Sequence, residues 1–168
     1  MCNVAGIFDL FYPLVETTDE RWDRVMDLDL KAPFRILRAA VPLMIESGGG
    51  SIVNVGSYAS VRGNHGPTYT AAKAGLIGLT RSIAFTYAKD NIRCNVVNPG
   101  GTETNITETS GGTPHPAIGA FINLLQQVPF RTLAQPEEVA NVCAFLCSDE
   151  ASWVNGAVIA ADGGMSVC

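Results

Sequence analysis

Tyr69-Thr-Ala-Ala-Lys73 sets a phenol and an ammonium four residues apart. In a helix that spacing is one turn, so both groups lie on the same face. A free phenol gives up its proton near pH 10. A cation held beside it favours the phenolate and draws that value towards neutrality. The pair therefore suits a general acid/base that exchanges a proton with a carbonyl oxygen or an alcohol. Ser57, twelve residues upstream at the end of an apolar, β-branched run, is placed to hydrogen-bond the same oxygen. Alone, the pattern is short, and an ordinary pair on a helix surface is its plainest reading. The neighbouring sequence decides between the two.

On the amino side, Ser51 to Gly56 reads as a buried strand. Pro67 to about Ala88 reads as the helix that carries Tyr69 and Lys73, with Leu76, Leu79, Ile83 and Tyr87 at helical spacing. Its Ala71, Ala72, Ala74, Gly75 and Gly78 permit close helix packing. Further upstream, Thr17-Thr-Asp-Glu20 has the capping-box pattern and opens a long helix. Trp22, Val25, Met26, Leu30, Phe34, Leu37, Val41 and Met44 form its expected apolar stripe, with Pro33 and Pro42 expected to bend or interrupt it. Downstream come a strand at Ile92 to Val97, a helix opened by Pro136-Glu137-Glu138 and a last strand at Ala157 to Ala161. Strands that alternate with helices imply an α/β fold with a parallel sheet and right-handed crossovers.

Composition agrees with a globular chain of one domain's size. Its 168 residues are 47% apolar and 16% charged, outside the range of disordered sequences. A net charge of −5 without a basic stripe argues against nucleic acid as a partner. No apolar run is long enough for a membrane span, and no charged-then-apolar leader opens the sequence. Five scattered Cys in no framework spacing suit a reducing, cytoplasmic setting. Cys143 and Cys147 are expected to be small core residues rather than metal ligands, since no further Cys or His lies near them in sequence. No metal is expected. His65, four residues before Tyr69, is a weak alternative for proton transfer, and His115 lies in a loop-like stretch.

Six short motifs, in order, resemble the short-chain dehydrogenase/reductase family, in particular its single-domain 3-oxoacyl-reductase-like members. Asn3-Val4-Ala5-Gly6 resembles the family's Asn-Asn-Ala-Gly turn after the fourth strand. Ser51 to Ser57 resembles the fifth strand, which ends in the catalytic serine. Tyr69 and Lys73 match the Tyr-x-x-x-Lys pair, and Asn95-Val-Val-Asn-Pro99-Gly100 with Thr104 resembles the loop on the nicotinamide side. Arg131 to Glu138 and Asp162-Gly163-Gly164 resemble the C-terminal signatures.

The resemblance implies roles. Tyr69 is the general acid/base, Ser57 orients the substrate carbonyl, and Lys73 lowers the phenol's pKa and holds the nicotinamide ribose. Asn3, Ala5, Gly6, Pro99, Gly100, Thr102 and Thr104 join Tyr69 and Lys73 on the cofactor side, for NAD or NADP. Pro99-Gly100 also reads as a plain strand-ending turn. Asp29 departs from the pattern: in Leu28-Asp29-Leu30-Lys31 it stands where the family carries a fourth catalytic residue, an Asn. An acid there is expected to attenuate catalysis by adding charge near Lys73. Asn105 to Phe130 resembles the substrate lid, with an apolar cover from Ile118, Phe121, Leu124 and Leu125.

The family opens with a strand, a Gly-rich loop and a helix, and no Gly-rich loop follows a strand in this sequence. Gly48-Gly49-Gly50 precedes a strand and reads as a turn. A phosphate cradle needs backbone N–H groups at a helix N-terminus. The expectation is thus one partial NAD(P)-binding domain over residues 1–168, the C-terminal part of a Rossmann-type doubly wound sheet without its first strands or adenine side. Ser51's strand would keep at most the remnant at Met1-Cys2-Asn3 as a neighbour on that side, leaving an edge prone to pairing. One reading is an oxidoreductase acting on a small carbonyl or alcohol, expected as a homo-oligomer. Another is an inactive partner that pairs with a full-length relative through the helices of Trp22–Met44 and Tyr69–Tyr87. A third, a binder of small ligands without turnover, has no specific support in the sequence.

Overall fold

The computed structural model describes residues 1–127, 131 and 133–167. Four parallel strands, β1 (Cys2–Asn3), β2 (Gly50–Val55), β3 (Ile92–Pro99) and β4 (Val158–Ala161), lie in the order β1-β2-β3-β4. Helices α1 (Asp19–Met26) and α2 (Ala32–Glu46) connect β1 to β2, and α3 (Pro67–Thr86) connects β2 to β3. The short α4 (Ile106–Thr109), α5 (Ile118–Leu125) and α6 (Pro136–Cys147) precede β4. The β2 strand keeps its small neighbour: Cys2 pairs with Val53 and Asn3 with Asn54.

The sheet is covered on both faces, as a run of fully buried β-branched residues requires. On one face Ile52, Ile92 and Cys94 pack under Leu37 and Val41 of α2 and Ile83 and Ala84 of α3. On the other, Val53 and Val97 pack under Val139, Cys143 and Leu146 of α6. Each Val, Leu or Ile side chain among them taken fully out of water contributes about 1.5–3 kcal/mol. Helix α6 starts with Pro136 in its first turn and a capping box between Gln135 and Glu138.

The long helix differs from its sequence reading. It is two α-helices joined through one π turn, Asp27–Lys31, in which the Ala32 N–H donates to the Asp27 carbonyl. Pro33 follows at once, in the first turn of α2. A proline there cannot donate to the carbonyl four residues back, and the wider turn accommodates the mismatch. The extra residue shifts the phase of the stripe. Val25, Pro33, Leu37 and Val41 face inward, whereas Trp22 and Phe34 are exposed. Pro42 sits inside α2 without ending it, since the unpaired carbonyl it leaves belongs to Arg38 on the solvent side. Thr18, not Thr17, caps α1, accepting from the Arg21 N–H, while the Thr17 hydroxyl donates to Pro13 O. Cys147 is exposed rather than buried, with its Sγ 3.7 Å from that of Cys2. The two approach in space across 145 residues of sequence.

Candidate active site

The carboxyl ends of β1, β2 and β3 converge on the first turns of α3. Ser57 lies two residues beyond β2, where its N–H donates to Asn98 Oδ1 of β3 and its Oγ accepts from the Ala59 N–H. A Cβ on Gly56 would overlap the Asn98 side chain, so only glycine lets the chain turn there. The Ser57 hydroxyl is within hydrogen-bond reach of the Tyr69 phenol. One turn on, Lys73 Nζ lies 5.6 Å from the centre of the Tyr69 ring and donates to Val55 O at 3.3 Å. The π turn carries Asp29 into the same place, with Oδ2 3.4 Å from Lys73 Nζ and Oδ1 accepting from the Ile7 N–H. All four side chains are buried. The structure thus brings together Ser57, Tyr69, Lys73 and Asp29.

Their electrostatics differ from the sequence expectation. Burial raises the Tyr69 phenol well above its ordinary value, with Asp29, Asp9 and Tyr58 adding to the rise and Ser57 opposing it. The Lys73 ammonium lies against Asp29, whose charge compensates it. Burial also raises the Asp29 carboxyl, against the opposing pull of Lys73. Any field the lysine offers to the phenol is shared with this acid.

Two features of the site escape a reading of the sequence. Asp9, in the loop after β1, is buried at the start of α3, where its Oδ2 accepts from the Tyr69 N–H at 3.0 Å and its Oδ1 from Phe11 N–H at 3.1 Å. It supplies the acceptor that the cap residue Gly66 lacks, and a Cβ on Gly66 would overlap its carboxylate. That uncapped Gly66-Pro67 start was the signal available in sequence. The same loop holds Leu10 and Phe11 in left-handed backbone at φ 58° and 62°, an arrangement that costs roughly 1–2 kcal/mol for each residue. The second feature is a cluster of rings around Tyr69. Phe8 meets it edge-on at 5.0 Å and His65 lies 5.5 Å away. His65 also stacks on Phe11 at 4.9 Å. Burial lowers the His65 imidazole from 6.5 to about 4, so it is neutral at pH 7.

The candidate cofactor residues are unevenly placed. Asn3 is engaged with Asn54, its Nδ2 donating to Oδ1 at 2.7 Å. Ala5 is exposed, and a Cβ on Gly6 would come within 3.0 Å of Lys73 Nζ, so the bare backbone leaves the ammonium approachable. Pro99 ends β3, and Gly100 packs so closely on Asp162 that a Cβ would meet its Cα at 2.9 Å. Thr102 donates to Gly100 O, while the exposed Thr104 accepts from the Ile106 N–H at the start of α4. The residues expected on the nicotinamide side of a dinucleotide are thus hydrogen-bonded within the chain at Asn3, Thr102 and Thr104 and leave bare backbone at Gly6 beside Lys73 Nζ. The described residues include no Gly-rich strand-to-helix loop for its pyrophosphate.

Of the lid-like stretch, α4 and α5 are described, whereas residues 128–130 and 132 lie outside the described residues. His115 pairs with Glu16 at 3.2 Å and its N–H donates to Leu10 O, away from Tyr69. No group of three potential metal ligands occurs among the described residues. No described helix is long and apolar enough to cross a membrane. A cleft of about 340 Å³ beside β4 and α6 is lined by Gly101, Val139 and Asp162 but not by Tyr69. Another of about 500 Å³ lies at the opposite ends of the strands, beside Arg93 and Trp153. Tyr69 is flanked by the rings of Phe8 and His65 instead.

A family model described as enoyl-(acyl carrier protein) reductase matches residues 1–166. The 3-oxoacyl-(acyl-carrier-protein) reductase FabG of Thermotoga maritima is 44% identical over 155 residues, 92% of this chain and 61% of its own length. The short-chain dehydrogenase/reductase olcF of Penicillium canescens is 39% identical over 172 residues, 98% of this chain and 67% of its own. Among solved structures, levodione reductase superposes with a TM-score of 0.88 at 35% identity, over 99% of this chain and 66% of that one. A protein from Agrobacterium tumefaciens crystallised with bound NADP does so with a TM-score of 0.86 at 34% identity, over 99% and 67%. The chain thus spans about two thirds of the length of these relatives, and less than that of the FabG protein.

Proposed function

This chain belongs to the short-chain dehydrogenase/reductase family, and on that premise we propose that it takes part in hydride transfer between NAD(P)(H) and a carbonyl or secondary alcohol. The observation that carries the reading is the buried meeting of the Ser57 hydroxyl and the Tyr69 phenol, with Lys73 one turn further along α3. Ser57 holds the substrate oxygen. Tyr69 donates a proton to that oxygen in reduction and recovers it in oxidation. At rest the raised phenol is protonated, which suits donation. Lys73 and Tyr69, with Ala5 and Gly6 beside them, would hold the nicotinamide ribose; the dinucleotide supplies the hydride when bound. Asp29 tempers the site by occupying Lys73.

The test is calorimetric titration of the folded 168-residue chain with NADH and with NADPH, followed by a screen of carbonyl substrates. Micromolar binding and turnover that disappears in Tyr69→Phe support the reading. A folded chain that binds neither nucleotide refutes it for this chain acting alone.

A second reading is that of a subunit that pairs with a full-length relative. What favours it is the exposed apolar surface of α2 and α3: Phe34, Ile36, Leu43 and Ile45 on the first, and Phe85, 88% exposed, on the second. Recovery of the chain only in mixed oligomers supports this reading, and recovery only as aggregate rules it out.

A further inference from the structure

Two exposed thiols face each other where β1 meets the end of α6. Cys2 and Cys147 hold their Sγ atoms 3.7 Å apart, in a weak sulfur hydrogen bond. The meeting follows from strand geometry, in which successive side chains point to opposite faces. Met1 packs into the core under α2 and α3, and Asn3 donates to Asn54, which in turn donates to Thr80 of α3. Cys2, between them, points to the other face, which α6 covers. The end of α6 is anchored over that face. The Leu146 carbonyl accepts from Ser51 Oγ at 2.8 Å and from Arg93 at 2.9 Å, and the Ser148 carbonyl accepts from Arg93 at 3.0 Å. Each thiol therefore sits on a frame bonded to the sheet, Cys2 through its pairing with Val53.

A disulfide needs its sulfurs about 2.0 Å apart, so an approach of about 1.7 Å remains. Rotation of two exposed side chains supplies it without moving the frames. Cys94 and Cys143 are buried and so are shielded from a soluble reagent. We propose that Cys2 and Cys147 are a site of reversible covalent modification, which closes to an intramolecular disulfide on meeting a low-molecular-weight disulfide and clamps β1 to α6.

The exchange proceeds in two steps. Burial and the hydrogen bond to Cys147 raise the Cys2 thiol to about 11, so Cys2 keeps its proton and Cys147 attacks first. The Cys147 thiolate displaces one half of the small disulfide as a thiolate, which takes up a proton, and a mixed disulfide forms on Cys147. Cys2 then gives its proton to solvent, attacks Cys147 Sγ and expels the second half. The two protein thiols lose two electrons and two protons, and the small disulfide is reduced to two thiols. The new bond fastens a strand that pairs with β2 through two residues only. The loop after β1 carries the Ile7 N–H that donates to Asp29 and the Asp9 carboxylate that accepts from the Tyr69 N–H. Oxidation thus steadies the segment that leads into the candidate active site. None of this depends on the hydride-transfer reading.

The experiment equilibrates the full chain, kept dilute, with oxidised glutathione, traps the remaining free thiols with N-ethylmaleimide and maps the peptides by mass spectrometry. The expected product is a monomer that has lost two hydrogens and yields a Cys2–Cys147 cross-linked peptide, reversed by dithiothreitol. Cys2→Ser or Cys147→Ser removes the cross-link and Cys143→Ser leaves it. The wild-type map is decisive by itself, so no variant has to fold for the test to stand. A link that spans 145 residues raises the urea midpoint of the oxidised chain by about 1–2 M over the reduced one. Amide exchange slows over residues 2–7. Thiols that stay free, a lasting mixed disulfide with glutathione, a link through another cysteine or a link between two chains overturns the inference. A Cys2–Cys147 link that moves neither the midpoint nor the exchange overturns the clamp. Nucleotide binding and turnover do not enter these measurements, so failure of the hydride-transfer reading leaves them as they are.

Discussion

Asp29→Asn restores the residue that the family resemblance expects and leaves Lys73 as an uncompensated buried ammonium. At 3.4 Å the Lys73–Asp29 attraction is about 5 kcal/mol at an effective dielectric of about 20. Removing the carboxylate also removes its own desolvation penalty, which is the main reason its pKa is raised. Asparagine keeps an oxygen for the Ile7 N–H, so that bond adds nothing to the loss. A net destabilisation of about 3 kcal/mol is expected, the lower end of what breaking a buried pair costs. Urea unfolding at pH 7 measures it, with an unchanged slope as the sign that only stability has moved. A double-mutant cycle with Lys73→Met isolates the pair. Asp29 also raises the Tyr69 phenol, so ultraviolet titration against Tyr69→Phe should show that phenol ionising at lower pH in Asp29→Asn. A loss under about 0.5 kcal/mol, in the range of a neutral surface change, together with an unmoved phenol refutes the ion pair as described.

Tyr69→Phe is expected to lower any turnover at least about 100-fold while Cys143→Ala, remote on α6, leaves it nearly unchanged; steady-state kinetics decide both. His65 takes up its proton near 6.5 when unfolded but only near 4 when folded, so the unfolded chain binds more protons between those values. Stability should therefore fall as pH drops from 6.5 to about 4, by up to about 3 kcal/mol, and His65→Leu should flatten that limb in pH-dependent urea midpoints. Gly66→Ala forces a methyl into the Asp9 carboxylate and is expected to cost about 1–3 kcal/mol. Gly78→Ala, with open space around it on the exposed face of α3, should stabilise by about 0.5–1 kcal/mol, and thermal unfolding compares the two.

The elements whose pattern is local were readable from the residues. Strands β2 and β3 and helix α3 lie within two residues of their expected ends, because β-branched runs and a proline-led apolar period mark them without help from distant segments. The spacing of Tyr69 and Lys73 likewise needs only a helix. What the residues did not disclose depends on contacts across the chain. Asp9 reaches Tyr69 over 60 positions, and nothing near Asp9 marks it as a cap for α3. Lys73 was expected to act on the phenol, but its partner is decided by which carboxylate the π turn swings towards it. The ring cluster draws on the β1 loop, the approach to α3 and α5, none of which has a periodic pattern that points to the others. Cys2 and Cys147 lie 145 positions apart and meet only through the sheet.

The π turn at Asp27–Lys31 also bears on how this chain can vary in length. One residue of helix corresponds to about 100° of rotation. Deleting any one of these five would restore a regular helix and swing α1 by that angle relative to α2. Val25 would turn out of its contacts with Ile7 and Ala72, and the carboxylate opposite Lys73 would point elsewhere. Insertions and deletions are ordinarily absorbed by loops, where the change dissipates within a few residues. Here the tally of residues inside a helix is itself the device that aims a side chain. Length between Thr18 and Pro33 should thus be held more strictly than residue identity, while the surface loops on either side remain free to grow.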